Sequence, residues 1–501
     1  MLRPILFLHR WLGVAVGLVM TIWCLSGFVM LYWDYPRLMP DEQIRGLAPL
    51  NLPAAALAHA GLPADMPLSA ARVEMMAGRA VLRATPAIDP GRPIAQMRAM
   101  PANIDLATGR PIDGLSEAEA LAVGRSFGRH YGIGGDALAA VPTGMDQWTV
   151  QTFRRHQPMH RIDYAGGATA YVAASGEVVQ QTSRAERFWG WLGAVPHWLY
   201  PTLLRQDGAL WSQMVIWSAL TGCFLTVTGL WVGIARLRRN RRGRIASPYR
   251  GLWWWHHMAG LFFGLLTLSW VASGLLSMNP WGFLESEAGF AERERLAGPM
   301  RWGDVAAAIG RLPALPPGTV RLEAAPLGGR TYLAAIFADG RRIRLGGDGR
   351  PAPLARDELA AALANGPPVA ALELMRGEDD YYYAHKYPVT LPVWRAVLDD
   401  AGRTRLYIDP ATGRLIRAFD GNGRAFRWLM DGLHSLDLPA LRLRPIRDIV
   451  VLPLLAAVTL VCATGTWMGF RAVGRDFRRV RRNRRRRRHG ARIIAIEAAT
   501  P

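Results

Sequence analysis

The chain has 501 residues, half of them apolar, and a formal net charge of +21 at pH 7. The charge sits in three short arginine-rich stretches beside apolar segments: Arg3 and Arg10, seven arginines between Arg236 and Arg250, and twelve between Arg471 and Arg492. That placement argues against a nucleic-acid surface and for cytoplasmic flanks of membrane spans, the tail RRVRRNRRRRRH lying against anionic headgroups. Cys24, Cys223 and Cys462 all fall within apolar segments, so no disulfide staples a soluble part.

In chain order, residues 1–34 hold a first transmembrane helix, its apolar run at 5–33 too long for a signal peptide and without a cleavage site. Residues 35–187 form a first outer domain. Within it Ile104–Ile112 and Tyr171–Val179 read as strand–turn–strand, and Ser116–Tyr131 as a helix. Residues 188–236 give an interfacial segment, WLGAVPH from Trp191 to His197, and a second transmembrane helix at 209–235. A basic loop at 237–251 leads to a third transmembrane helix at 252–279. Residues 280–425 form a second outer domain. Its hairpins are expected at Arg342–Arg350 and Tyr407–Ile416, its helix at Arg356–Ala364, and loops at Pro313–Gly318 and Asn365–Pro368. Residues 426–470 repeat the interfacial segment as WLMDGLH, Trp428 to His434, before a fourth transmembrane helix at 447–470, and 471–501 are the arginine-rich tail. Pro453 is the one clear interruption in that helix.

The chain is an internal duplication. HRWLGVAVGLVMTIWCLSG (His9 to Gly27) returns 247 positions later as HHMAGLFFGLLTLSWVASG (His256 to Gly274), and the second and fourth spans end TGLWVG and TGTWMG. Each half is helix, outer domain, helix, so the halves run in one direction and form a parallel repeat. The expected fold class is an α-helical membrane protein with four transmembrane helices and two α+β outer domains. An even number of crossings puts both termini in the cytoplasm of a bacterial inner membrane, with the outer domains in the periplasm.

The HRWLG opening, the paired histidine-bearing segments and the D-x-x-TG turns resemble the PepSY-associated transmembrane family, which includes inner-membrane ferric-siderophore reductases. The resemblance spans nearly the whole chain apart from the arginine tail. It implies a four-helix core holding b-type haem, with PepSY-like domains in the periplasm.

The residues carry a parallel case. On a helix, His9, Gly13, Gly17 and Gly27 lie near one face, as do His256, Gly260, Gly264 and Gly274. A flat macrocycle lies against a helix where side chains are absent, and an imidazole at the end of such a face can ligate iron. The same glycines would also serve close helix packing. Alignment selects His256 from the doublet, leaving His257 as the alternative ligand or a polar neighbour. His197 and His434 stand at the opposite boundary. Topology therefore pairs His9 with His256 and His197 with His434, for two bis-histidine haems b; interfacial anchoring beside Trp189, Trp191, Trp198 and Trp428 is the other reading of the second pair.

His156 and His160, spaced i,i+4, lack further metal partners and read as surface histidines. His385 and Lys386 in YYYAHKYP could meet a substrate, or sit in a packed tyrosine cluster. No P-loop, dinucleotide fingerprint, C-x-x-C or H-E-x-x-H occurs, so electrons would come from a separate cytoplasmic or quinol donor. The expected function is electron transfer through two haems to a periplasmic ferric siderophore or other metal chelate. Two alternatives stand beside it: a membrane-anchored regulator of a periplasmic protease, and a haem or siderophore transporter, which the lack of broken first and third spans disfavours.

Overall fold

The computed structural model describes residues 2–53, 56–87, 102–239, 243–385 and 387–497, with side chains excepted at 480 and 483–497. Arg241, Arg242, Lys386 and the side chains of the tail's distal arginines and His489 therefore lie outside the described residues. The chain divides into two compact units, one of residues 1–34, 189–282 and 426–501, the other of 35–188 and 283–425.

The first unit is built on four helices long and apolar enough to cross a membrane: Leu2–Met30, Gly208–Arg236, Leu252–Ser277, and Ile446–Arg479 within the longer helix Ile446–Glu497. The first three are apolar around most of their circumference rather than along one stripe. Asp207 caps the second, accepting from the Leu210 amide at 2.9 Å. Pro453 sits inside the fourth helix without ending it. The link between the second and third is a short ribbon, Arg238–Arg239 paired with Ile245–Ala246. The first and third helices each pack against both the second and the fourth, closing a four-membered ring.

Among the described residues, the second unit holds three antiparallel sheets. One four-stranded sheet takes Ala137–Thr143, Met159–Tyr164, Thr169–Ala173 and Val178–Thr182 in that order; another takes Val369–Met375, Val393–Leu398, Arg405–Ile408 and Leu415–Phe419. The expected hairpins at 171–179 and 407–416 are thus present, with Asp409 accepting from the Ala411 amide at 2.8 Å and Gly413 at φ 75° completing the D-x-x-TG turn. The helix Glu117–Tyr131 starts at a capping box in which Ser116 and Glu119 satisfy each other's amides.

The third sheet corrects the expectation of two separate α+β domains. Its six strands run Arg342–Leu345, Arg330–Phe337, Thr319–Leu327, Leu68–Met76, Arg79–Pro86, Ala102–Asp105, so each long segment supplies half. The seam is the pair Leu68–Met76 and Thr319–Leu327, with Glu74 opposite Arg321. Glu74 takes Arg83 Nε at 2.6 Å and Arg321 Nε at 2.7 Å. Burial opposes its ionisation, but the guanidinium groups of Arg321, Arg83 and Arg72 outweigh it and hold the carboxyl at about 2. Three strands would leave an open edge at this seam, and pairing the repeats removes it. The order is symmetric about the seam, so the duplication reaches into the sheet.

Candidate functional site: two histidine pairs

The four-helix unit brings the predicted histidines together in two pairs. The His9 and His256 rings have centroids 6.4 Å apart with planes at 40°, and the His197 and His434 rings 6.1 Å apart at 63°. Each half of the duplication gives one ring to each pair.

All four rings are pinned the same way. His9 Nδ1 donates to the Leu225 carbonyl at 3.0 Å, with Thr228 Oγ1 at 3.4 Å; its repeat, His256 Nδ1, meets the Val461 carbonyl and Thr464 Oγ1, both at 3.1 Å. His197 Nδ1 meets the Trp23 carbonyl and Ser26 Oγ at 3.1 Å, and His434 Nδ1 the Trp270 carbonyl at 3.1 Å and Ser273 Oγ at 3.3 Å. A carbonyl can only accept, so the hydrogen sits on Nδ1 and the lone pair on Nε2. The hydroxyls already donate to their own helices, Thr228 to Phe224 and Ser273 to Ser269, and keep an oxygen lone pair for the imidazole. Such partners orient a metal-ligating imidazole and make it more basic.

The first pair borders a cavity of about 420 Å³ with mostly apolar walls, within the usual range for ligand-sized sites. Gly13, Gly17, Gly260 and Gly264 all line it, but in two different ways. A Cβ on Gly260 would meet nothing within 4 Å, and one on Gly13 only Leu225 Cδ1 at 3.8 Å. On Gly17 it would strike Thr466 Oγ1 at 2.9 Å, and on Gly264 Leu230 Cδ2 at 2.6 Å. The glycine nearest each histidine therefore gives open space, and the next lets two helices approach. Two further glycines were not among the predicted site residues. A Cβ at Gly229 would lie 2.7 Å from His9 Cε1, and at Gly465 2.9 Å from His256 Cε1. The repeated TGLWVG and TGTWMG ends were the signal for them.

His257 takes the role of polar neighbour here: its Nδ1 pairs with Ser247 Oγ and its Nε2 with the Gly233 carbonyl, both at 2.8 Å. With both nitrogens engaged, it ties the third helix to the second and to the preceding link.

The second pair sits on short elements, Ala194–His197 and the π-helical turn Trp428–His434. Two residues after each histidine the chain turns through a left-handed leucine, Leu199 and Leu436, both at φ 50°. A branched side chain there costs about 1–2 kcal/mol, and its recurrence in both halves marks the turn as part of the repeated design. Gly27 and Gly274 face these rings, their Cβ positions 4.0 Å from His197 Cε1 and 3.3 Å from His434 Cε1.

The residues fit haem. Histidine is a usual protein ligand of haem iron, and each pair brings together two imidazoles whose Nδ1 is tied back to a carbonyl.

The weaker candidates lie in the second unit. His160 is buried on the strand Met159–Tyr164, which corrects its reading as a surface histidine, and His156 ends a single helical turn. Tyr382 and Tyr407 stack at 5.1 Å within a buried cluster, the packing reading of the YYYAHKYP stretch. Among the described residues, no group of three or more His, Cys, Asp or Glu side chains converges to hold a metal ion. The chain matches no protein-family model and no curated protein.

Proposed function

We propose that the four-helix unit holds two b-type haems, one between His9 and His256 and one between His197 and His434, and carries electrons across the bacterial inner membrane. The observation that supports this best is the fourfold recurrence of one imidazole setting, with Nδ1 tied to a carbonyl and a hydroxyl in every case. When bound, haem supplies one-electron exchange between Fe(III) and Fe(II). The chain's own part is to fix four rings, present Nε2, leave room beside Gly13 and Gly260, and keep water out with apolar walls.

The donor in this reading is cytoplasmic or a quinol, and the acceptor a periplasmic ferric siderophore or another metal chelate, in keeping with the resemblance to PepSY-associated ferric-siderophore reductases. Reduction helps because hard oxygen chelators hold Fe(II) less tightly than Fe(III). A protease regulator would need none of the four imidazoles, whereas here each is held by the same bonds in both halves. The test is proteoliposomes with an enclosed reductant and an external ferric hydroxamate, following Fe(II) with a ferrous chelator. Fe(II) should form with the natural chain and fall to background when either pair is replaced by alanine. Equal rates in the variants would remove the proposal.

A further inference from the structure

The duplication makes the seam between the first and fourth helices equivalent to that between the third and second, and the two differ in one respect. At the first seam Thr21 Oγ1 meets Thr466 Oγ1 at 2.9 Å, and Cys24 Sγ lies 3.8 Å from Cys462 Sγ. The repeat places Leu268 and Leu230 where the threonines are, and Val271 and Thr226 where the cysteines are. Gly17 against Thr466 and Gly264 against Leu230 confirm the correspondence. The ring of helices therefore closes equally well without cysteine. A single cysteine packs as a small apolar residue, but two facing each other on one seam only are not a demand of the shared architecture.

We infer that Cys24 and Cys462 form a membrane-embedded dithiol that closes reversibly into a disulfide, locking the first helix to the fourth. The residues are 438 positions apart, so the bond would join the two ends of the chain across the one seam no connecting segment spans. Cys462 also lines the cavity beside the first histidine pair, so the lock would fix one of its walls. The inference rests on the four helices crossing a membrane and is independent of haem. Aqueous thiols exchange through thiolates, which an apolar site disfavours. The co-reactant that fits this depth is a lipid-soluble quinone. Two S–H bonds break and one S–S bond forms, while two electrons and two protons convert the quinone to quinol.

The full chain in lipid nanodiscs, reduced and then exposed to a short-chain ubiquinone, is quenched in acid, alkylated with N-ethylmaleimide and weighed. The reduced protein should carry three alkyl groups and the quinone-treated protein one, on Cys223. Tryptic peptides Trp11–Arg37 and Asp448–Arg471 should then be joined, and dithiothreitol should part them. Cys24→Ser and Cys462→Ser should each abolish the linked peptide. Three alkylated thiols after quinone, or a bond that includes Cys223, would overturn the inference. The natural chain alone decides it, whether or not the variants fold. A colourless preparation would bear on the haem proposal and leave this result untouched.

Discussion

The two histidine pairs share donors, spacing and tautomer, yet they differ in what surrounds them. His9 and His256 project from long apolar helices and border a cavity of about 420 Å³, whose lining includes neither His197 nor His434. The second pair is carried by short turns outside the helices, each followed by a left-handed leucine. The comparison separates two features: imidazoles fixed through Nδ1, which both pairs have, and the cavity of about 420 Å³, which borders the first. Rigid elements hold a site more tightly than turns do. When haem is limiting, the first pair should therefore fill before the second.

The comparison breaks most severely with the double variant His9→Ala, His256→Ala, which should halve the haem per chain measured as pyridine haemochrome. Two haems retained in it would mean that the first pair is not a site. Next comes Gly260→Leu, whose side chain grows into open space. It should weaken haem binding at the first pair more than about tenfold by filling a shape-matched site and leave helix content by circular dichroism unchanged. Gly274→Ala, with its Cβ 3.3 Å from His434 Cε1, should disturb only the second pair. Thr464→Val and Ser273→Ala each remove one hydroxyl from an imidazole, and about 10-fold losses of affinity are expected, within the 10–100-fold range for such outer partners. Titration with haem would resolve which pair each one weakens.

The smallest effect on either pair should come from Glu74→Gln, which separates loss of ligation from general instability. Removing the charge between Arg83 and Arg321, which keep only the longer ion pairs with Glu177 at 3.9 Å and Glu323 at 3.4 Å, should cost the sheet unit about 3 kcal/mol, read as a lower thermal midpoint. The carboxyl is depressed from 4.5 to about 2 in the folded chain. Its contribution is therefore complete above about 4.5 and lost as pH falls through about 2. The variant should flatten that acid limb.

Much of this was legible in the sequence because it is local. Apolar runs marked the four long helices, and the D-x-x-TG turns marked hairpins. The pairing of His9 with His256 followed from the duplication itself. What sequence reading missed lies between segments. The strand Leu68–Met76 finds its partner at Thr319–Leu327, about half the chain away, and no local pattern encodes that pairing. Helical periodicity relates residues on one helix, so it selected Gly13 and Gly260 but not Gly229 and Gly465, which face the same rings from neighbouring helices. Thr228 and Thr464, and Ser26 and Ser273, were visible within the repeated stretches without a partner to explain them.

The most direct test is the optical spectrum of the purified protein from haem-replete cells, oxidised and then dithionite-reduced, with haem counted per chain. Sharp reduced bands of low-spin bis-imidazole type at two haems per chain are expected. A folded, colourless protein would contradict the account.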